Sequence, residues 1–157
     1  MQTSTLSQLK KELQTIPQPQ LIELCVRMAK YKKENKELLH YLLFESTNEA
    51  QYIRQVKEET ASQFKEINTS NQYYAKKSIR KILRGLNKHI KYSAQPQTAI
   101  ELLIDFCRHM RNLGKTVYNS TQLTNLYEAQ IKKINLNLKK LHEDIQYDYK
   151  KELEELV

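Results

Sequence analysis

The fold of the chain can be predicted outward from residues 96–114, PQTAIELLIDFCRHMRNLG. Its apolar residues recur every three or four positions, which is the period of an α-helix. One apolar stripe consists of Ala99, Leu102, Leu103, Phe106, Met110 and Leu113, and a second side adds Ile100, Ile104 and Cys107. Pro96 breaks the chain ahead of this helix, and Gly114 suits a left-handed C-terminal cap. A helix that is apolar on more than one side is normally buried, so we predict a central helix over about 97–113.

A second stretch, about residues 19–33, has the same character. Pro19 suits the first turn of a helix, and the apolar residues that follow again form two stripes. They are Leu21, Leu24, Cys25 and Met28 on one side, and Ile22, Val26 and Ala29 on the other. We therefore predict a second core helix, in which Cys25, like Cys107, is a buried free thiol rather than half of a disulfide.

These two helices resemble one another in sequence. Gln18–Gln20, Ile22–Leu24 and Cys25–Met28 match Gln95–Gln97, Ile100–Leu102 and Cys107–Met110, with an offset that drifts from 77 to 82 residues. A duplication would need an insertion of about one helical turn. The pattern resembles the alpha–alpha repeat proteins of the HEAT type, in which helix pairs stack into a curved layer. This resemblance covers about half of the chain, carries no functional residues and implies a binding scaffold.

The rest of the chain also predicts helices. A short helix capped by Ser4 or Thr5 ends before Ile16, because Pro17 disfavours helix in the preceding residue. A third helix follows residue 37 and either restarts at a Ser46–Glu49 capping box or runs on to about residue 68. The last helix begins near Asn119 or Ser120, and its stripe continues to Ile145. Its stripe also permits a two-stranded coiled coil with another chain, although packing within the chain is favoured.

The composition supports the same architecture and limits the functional classes. The chain has two Gly and three Pro in 157 residues, so turns are few. We predict an all-α single domain over residues 1–157, either an antiparallel helical bundle or a short alpha–alpha repeat stack of six to eight helices. No membrane-span-length apolar run or secretory signal is present, which predicts a cytoplasmic protein with no integral membrane association.

The sequence contains no recognisable catalytic pattern. Its four histidines are scattered, and no metal-binding spacing, Gly-rich phosphate loop or nucleophile elbow occurs. The Cys-X-X-Met pairs could offer soft ligands to Cu(I), but their apolar setting favours core packing. We therefore expect a non-enzymatic helical interaction or scaffold module with no catalytic residue, metal or cofactor.

The functionally suggestive feature is a basic helix over about 71–92. No acidic residue occurs between Glu66 and Glu101. At about 100° per residue, the cations lie within roughly 140° of arc, opposite an apolar stripe that includes Ile79, Ile82 and Leu86. The predicted anion- or partner-binding residues are Lys76, Lys77, Arg80, Lys81, Arg84, Lys88 and Lys91.

Three interpretations of this cationic face remain open. The face is simply solvated, or it contacts the acidic C-terminus of the same chain, or it binds an external partner. The acidic residues are Glu143, Asp144, Asp148, Glu152, Glu154 and Glu155. Another protein is the favoured partner, with a homo-oligomer possible, and the alternative is sequence-independent nucleic-acid binding. Tyr73, Tyr74 and Tyr92 lie near the margin of the face, where they could stack on bases. Among the external partners, an anionic membrane surface ranks third, after a protein and a nucleic acid, because the apolar side of the helix lacks Trp and Phe.

Overall fold

The computed structural model describes residues 3–156, which contain nine α-helices and no strand. The all-α class is therefore confirmed, although the helices outnumber the predicted six to eight. A π-helical turn, Tyr41–Glu45, follows the third helix. The helices are α1 (Leu6–Thr15), α2 (Gln18–Tyr31), α3 (Lys33–His40), α4 (Glu49–Lys65), α5 (Gln72–Ser93), α6 (Pro96–Asn112), α7 (Lys115–Tyr118), α8 (Thr121–Leu138) and α9 (Glu143–Glu154).

The chain divides into two compact units, Met1–Phe44 and Glu45–Val157. In the first unit α2 packs on α3, and in the second unit α4, α5, α8 and α9 pack around α6. The single domain over residues 1–157 stays a prediction. Within residues 3–156, no helix is long and apolar enough to cross a membrane.

Helix α6 is the centre of the second unit, as its two apolar stripes predict. Ile100, Phe106, Cys107 and Met110 are completely buried, and Leu102 is 1% exposed. The helix ends at Asn112, and Gly114 follows with a φ of 53°, which glycine adopts without the steric cost that a Cβ would bring. Because neighbouring helices lie on several sides of α6, both stripes are covered. The buried thiol predicted at Cys107 is confirmed.

Helix α4 begins as a separate helix, which decides between the two predicted alternatives. The cap is Asn48, whose side chain accepts a hydrogen bond from the backbone N–H of Gln51 at 3.2 Å. The predicted Ser46–Glu49 capping box is wrong, because Glu49 is the first helical residue and cannot serve as the third. The Glu49 carboxylate instead accepts hydrogen bonds from the hydroxyls of Ser93 and Thr98, and so ties α4 to the end of α5 and the start of α6.

The continuous apolar stripe of the last segment predicts one long helix, and this prediction is wrong. Helix α8 ends at Leu138, and α9 starts anew with His142 as its cap, whose side chain accepts from the backbone N–H of Asp144. The turn directs α9 back onto α6 and α8, where Tyr149 and Leu153 become buried. Burial of these side chains outweighs the continuity of the helical pattern, because the free energy of apolar burial exceeds that of helix propensity.

The prediction of a second core helix, over about residues 19–33, is wrong. Helix α1 is capped by Thr5 in a capping box with Gln8, as the sequence indicates, but α1, α2 and α3 contain no buried residue. Ile22 is 56% exposed and Met28 is 65% exposed. Cys25 is also exposed, so the buried thiol predicted there is wrong. Within the first unit α3 is the helix that packs on α2, and one neighbour covers only one side of a helix.

Candidate functional site

Helix α5 is fixed by its cap and its apolar stripe. The Asn71 side chain accepts hydrogen bonds from the backbone N–H groups of Tyr73 and Tyr74, at 2.9 and 3.3 Å, and so defines the first turn. The buried residues of the helix all lie on one side: Ala75, Ile79, Ile82, Leu83, Leu86 and Ser93. The observed helix, Gln72–Ser93, agrees closely with the predicted 71–92. One side is buried in the unit and the opposite side carries the cations, of which Lys76 and Lys88 are half-buried and the other five are exposed.

The structure separates the seven predicted cations into two groups. Four of them line one open groove of about 770 Å³ together with Gln72, Tyr73 and Gln122, and these four are Lys76, Lys77, Arg80 and Arg84. Lys81 and Lys91 are exposed on the same helix but do not line the groove, and Lys88 is half-buried. The candidate site is therefore narrower than the whole cationic face. We call it the basic groove.

The second wall of the basic groove is the start of α8. The Arg80 guanidinium donates a hydrogen bond to Oε1 of Gln122 at 3.2 Å, and Gln72 donates to the carbonyl of Thr116 at 3.1 Å. These contacts join the groove-lining side of α5 to the α7–α8 segment. Ser120 caps α8 and is buried, so the first turn of α8 has a defined position. Sequence reasoning missed Gln122, because only the fold brings it beside α5.

Electrostatics in the basic groove are uniformly positive. No acidic residue occurs in the first turn of α5 or of α8. The N-terminus of a helix carries a partial positive charge, which adds to the field of the four cations. Among the described residues, no carboxylate forms an ion pair with Lys76, Lys77, Arg80 or Arg84. The groove therefore presents positive charge that no carboxylate within residues 3–156 neutralises.

Tyrosine side chains lie at the N-terminal end of the groove. Tyr73 lines it and is 68% exposed, while Tyr74 is 54% exposed. Their ring centroids are 5.5 Å apart at an interplanar angle of 76°, an edge-to-face contact. Tyr92 lies at the other end of α5, where it is half-buried and its ring packs near His89. The structure thus brings Tyr73 to the groove, and Tyr92 is not part of it.

The acidic C-terminal segment does not cover the basic helix. Helix α9 packs against α6 and α8, where the Arg108 guanidinium pairs with Glu152 at 2.8 Å and with Glu155 at 3.8 Å. Arg111 also donates to the backbone carbonyl of Glu155. Within residues 3–156, no carboxylate of α9 pairs with a cation of α5. The internal-partner interpretation of the cationic face is therefore wrong, because the acidic segment has its own cationic partner on α6.

A second polar cluster joins α4, α6 and α9. Glu101 accepts hydrogen bonds from Lys57 at 3.1 Å and from the Tyr149 hydroxyl at 2.9 Å. One turn further along, burial raises the pKa of Asp105, and the nearby His109, whose Nε2 is 3.5 Å from Oδ2, opposes this effect. Within residues 3–156, no group of three or more His, Cys, Asp or Glu is placed to hold a metal ion. These contacts cross-link three helices, and sequence reasoning missed them because the residues are far apart in the chain.

An apolar cavity of about 450 Å³ lies on the other side of α8, and Val117, Tyr127 and Ile131 contribute to its wall. The Tyr127 hydroxyl donates to the carbonyl of Leu156 at 2.6 Å, and burial raises the pKa of Tyr127 to about 12. The phenol is therefore neutral at physiological pH and is already engaged with the backbone. It anchors the C-terminal turn and is a poor proton-transfer group.

Comparisons with protein-family models, curated proteins and solved structures give no match to this chain. The resemblance to HEAT-type repeat proteins stays a prediction.

Proposed function

We propose that the protein is a non-enzymatic interaction module that binds the phosphate backbone of nucleic acids through the basic groove, independently of sequence. One observation carries the proposal: four cations line a single groove, and none of them is paired with a carboxylate of the described residues. Lysine and arginine contacts to phosphate supply most of the affinity of sequence-independent binding. They carry no information about the bases.

The spacing of the cations suits a chain of phosphates. Lys76 to Arg84 spans about 12 Å of helix at 1.5 Å per residue. The groove therefore offers several contacts in a row rather than one point of attachment. Like charges three and four residues apart destabilise an isolated helix by about 0.2–0.5 kcal/mol per pair. Bound phosphates would relieve this repulsion. An anion with several phosphates in a row would relieve it at more of the cations than a single phosphate would.

An anionic membrane surface is a less suitable partner for α5. A helix that lies on a membrane inserts its apolar side into the lipid boundary. In this protein that side is buried in the second unit, since Ile79 is completely buried and Leu86 is 2% exposed. The helix could therefore contact anionic lipid headgroups only through its cations, with no apolar side chain inserted into the lipid.

The proposal is tested by neutralising the groove. Labelled single- and double-stranded nucleic acids are titrated with wild-type protein at low salt and with a variant in which the four groove cations are changed to Gln. We expect the variant to bind at least about tenfold more weakly, because four phosphate contacts are lost. The substitutions are Lys76→Gln, Lys77→Gln, Arg80→Gln and Arg84→Gln.

A matched control removes the same charge elsewhere on the second unit. Four exposed lysines of α8 and the turn after it serve this purpose, and the substitutions are Lys132→Gln, Lys133→Gln, Lys139→Gln and Lys140→Gln. We expect this variant to bind within a few-fold of wild type. Equal losses in both variants would show an effect of net charge alone. Wild-type binding of polyglutamate as tight as that of nucleic acid would replace the proposal by an acidic-protein partner.

A further inference from the structure

We infer that the basic groove binds single-stranded nucleic acid, with Tyr73 as the side chain on which an unpaired base stacks. This inference rests on the proposed function and goes further, because it names the form of nucleic acid and the residue that selects it. It depends on an aromatic ring that is exposed, positioned and in the same groove as the cations.

The position of Tyr73 follows from the cap of α5. Asn71 is the cap and holds the N–H of Tyr73 at 2.9 Å, so Tyr73 is the second helical residue. In the same turn, the Gln72 side chain donates a hydrogen bond to the carbonyl of Thr116. Tyr73 therefore extends from a turn that a cap and a side-chain hydrogen bond both hold in place. Tyr73 is nevertheless 68% exposed.

The orientation of the ring is limited by Tyr74. The edge-to-face contact between the two rings favours this orientation of Tyr73 without burying it. A positioned ring loses less side-chain entropy when a base stacks on it than a freely rotating one does. The tyrosine pair therefore resembles a prepared surface for stacking rather than a side chain that packs in a core.

The cations begin one turn beyond the ring. Lys76 and Lys77 follow Tyr73 by three and four residues, which places all three on the same side of the helix. A base that stacks on Tyr73 would thus have its neighbouring phosphates within the field of the groove. In a duplex the faces of internal bases are already stacked on one another, so they are not accessible to the ring. A single strand can present both a base face and its phosphates.

The test compares three labelled ligands of equal length: oligothymidylate, an abasic strand that keeps the phosphates without bases, and a duplex. Binding to wild type and to Tyr73→Leu is measured by fluorescence anisotropy at low salt. For wild type, we expect oligothymidylate to bind about fivefold to a hundredfold more tightly than the abasic strand. Tyr73→Leu should remove that difference and leave binding of the abasic strand unchanged.

Two further variants separate stacking from damage to the fold. Tyr73→Phe keeps the ring and should retain wild-type binding of oligothymidylate. Tyr147→Leu removes a tyrosine of α9 that is 61% exposed and does not line the groove, and it should have no effect. Unchanged far-ultraviolet circular dichroism of all variants confirms that the helices are intact.

The outcomes distinguish this inference from the proposed function. If wild type binds the abasic strand as tightly as oligothymidylate, or if duplex binds more tightly than both, the stacking inference is overturned while backbone binding survives. A loss of abasic-strand affinity in Tyr73→Leu would also overturn the stacking inference, because it would show that the residue acts on the fold of the groove. No binding of any of the three ligands at low salt would contradict both proposals.

Discussion

Helices α2 and α6 have similar sequences and different surroundings. Each begins with a proline-led turn and carries an Ile-Glu-Leu triplet and a Cys-X-X-Met pair, but Leu24 in α2 is 39% exposed and Leu102 in α6 is 1% exposed. Helix α6 packs against α4, α5, α8 and α9, whereas α2 packs against α3 within its unit. An apolar pattern therefore predicts a helix and its apolar sides, whereas burial depends on how many neighbouring helices cover those sides.

The largest expected difference between the two helices is in thiol reactivity. Cys107 is completely buried, and burial raises the pKa of its thiol to about 12, whereas Cys25 is exposed. The rise from 9.0 to about 12 lowers the thiolate population roughly a thousandfold at neutral pH, since each pKa unit is a factor of ten. We therefore expect Cys107 to react with a thiol reagent roughly a thousandfold more slowly in the native protein than in denaturant, while the exposed Cys25 shows no such protection.

The measurement uses the single-cysteine variants Cys25→Ser and Cys107→Ser, each followed by mass spectrometry during alkylation. In denaturant both remaining thiols should react at similar rates, which controls for intrinsic reactivity. Rapid native labelling of Cys107 would show that α6 is not the buried centre of its unit.

The next largest expected effect is on stability. Leu102→Ala should lower the free energy of unfolding by about 2–5 kcal/mol, because it leaves a cavity in a closely packed core. The matched substitution Leu24→Ala should change it by no more than about 0.5 kcal/mol, because that side chain is partly solvated in the folded protein. Urea unfolding followed by circular dichroism gives both values. A comparable loss in the two variants would mean that α2 is as well packed as α6.

A smaller effect is expected at the matched glutamates. Glu101→Gln replaces the carboxylate that accepts hydrogen bonds from Lys57 and Tyr149, and should lower the free energy of unfolding by about 1–2 kcal/mol. The loss is limited because the site is only partly buried. Glu23 is exposed, so Glu23→Gln should change the free energy of unfolding by less than about 0.5 kcal/mol. The same urea titration measures both. Adding Lys57→Met to Glu101→Gln should then cost less than the sum of the single changes.

Much of the fold follows from periodicity and caps. The apolar stripes predicted α5 and α6 to within a few residues, and Thr5 was a correct candidate for the cap of α1. The errors occurred where long-range packing decides the result. The turn at 139–142 exists because α9 returns to bury Tyr149 and Leu153, and the exposure of α2 reflects the small number of its neighbours.

The candidate site was predictable only in part. The seven cations were identified from the absence of acids between Glu66 and Glu101, since that pattern is local. Their division into groove-lining and other residues depends on the start of α8, which lies some forty positions away in the chain. The acidic segment was a plausible partner from charge alone. Its pairing with Arg108 is a matter of tertiary structure.

The salt dependence of single-strand binding counts the phosphates that the basic groove neutralises. For single strands, the slope of log K against log salt is about −0.7 for each neutralised phosphate. Changing Lys76, Lys77, Arg80 and Arg84 to Gln should therefore make the slope shallower by about 3 over roughly 50–200 mM salt. The control with four neutralised lysines at 132, 133, 139 and 140 should change it by less than about 1. Equal slopes for the two variants would contradict the basic groove as the nucleic-acid site.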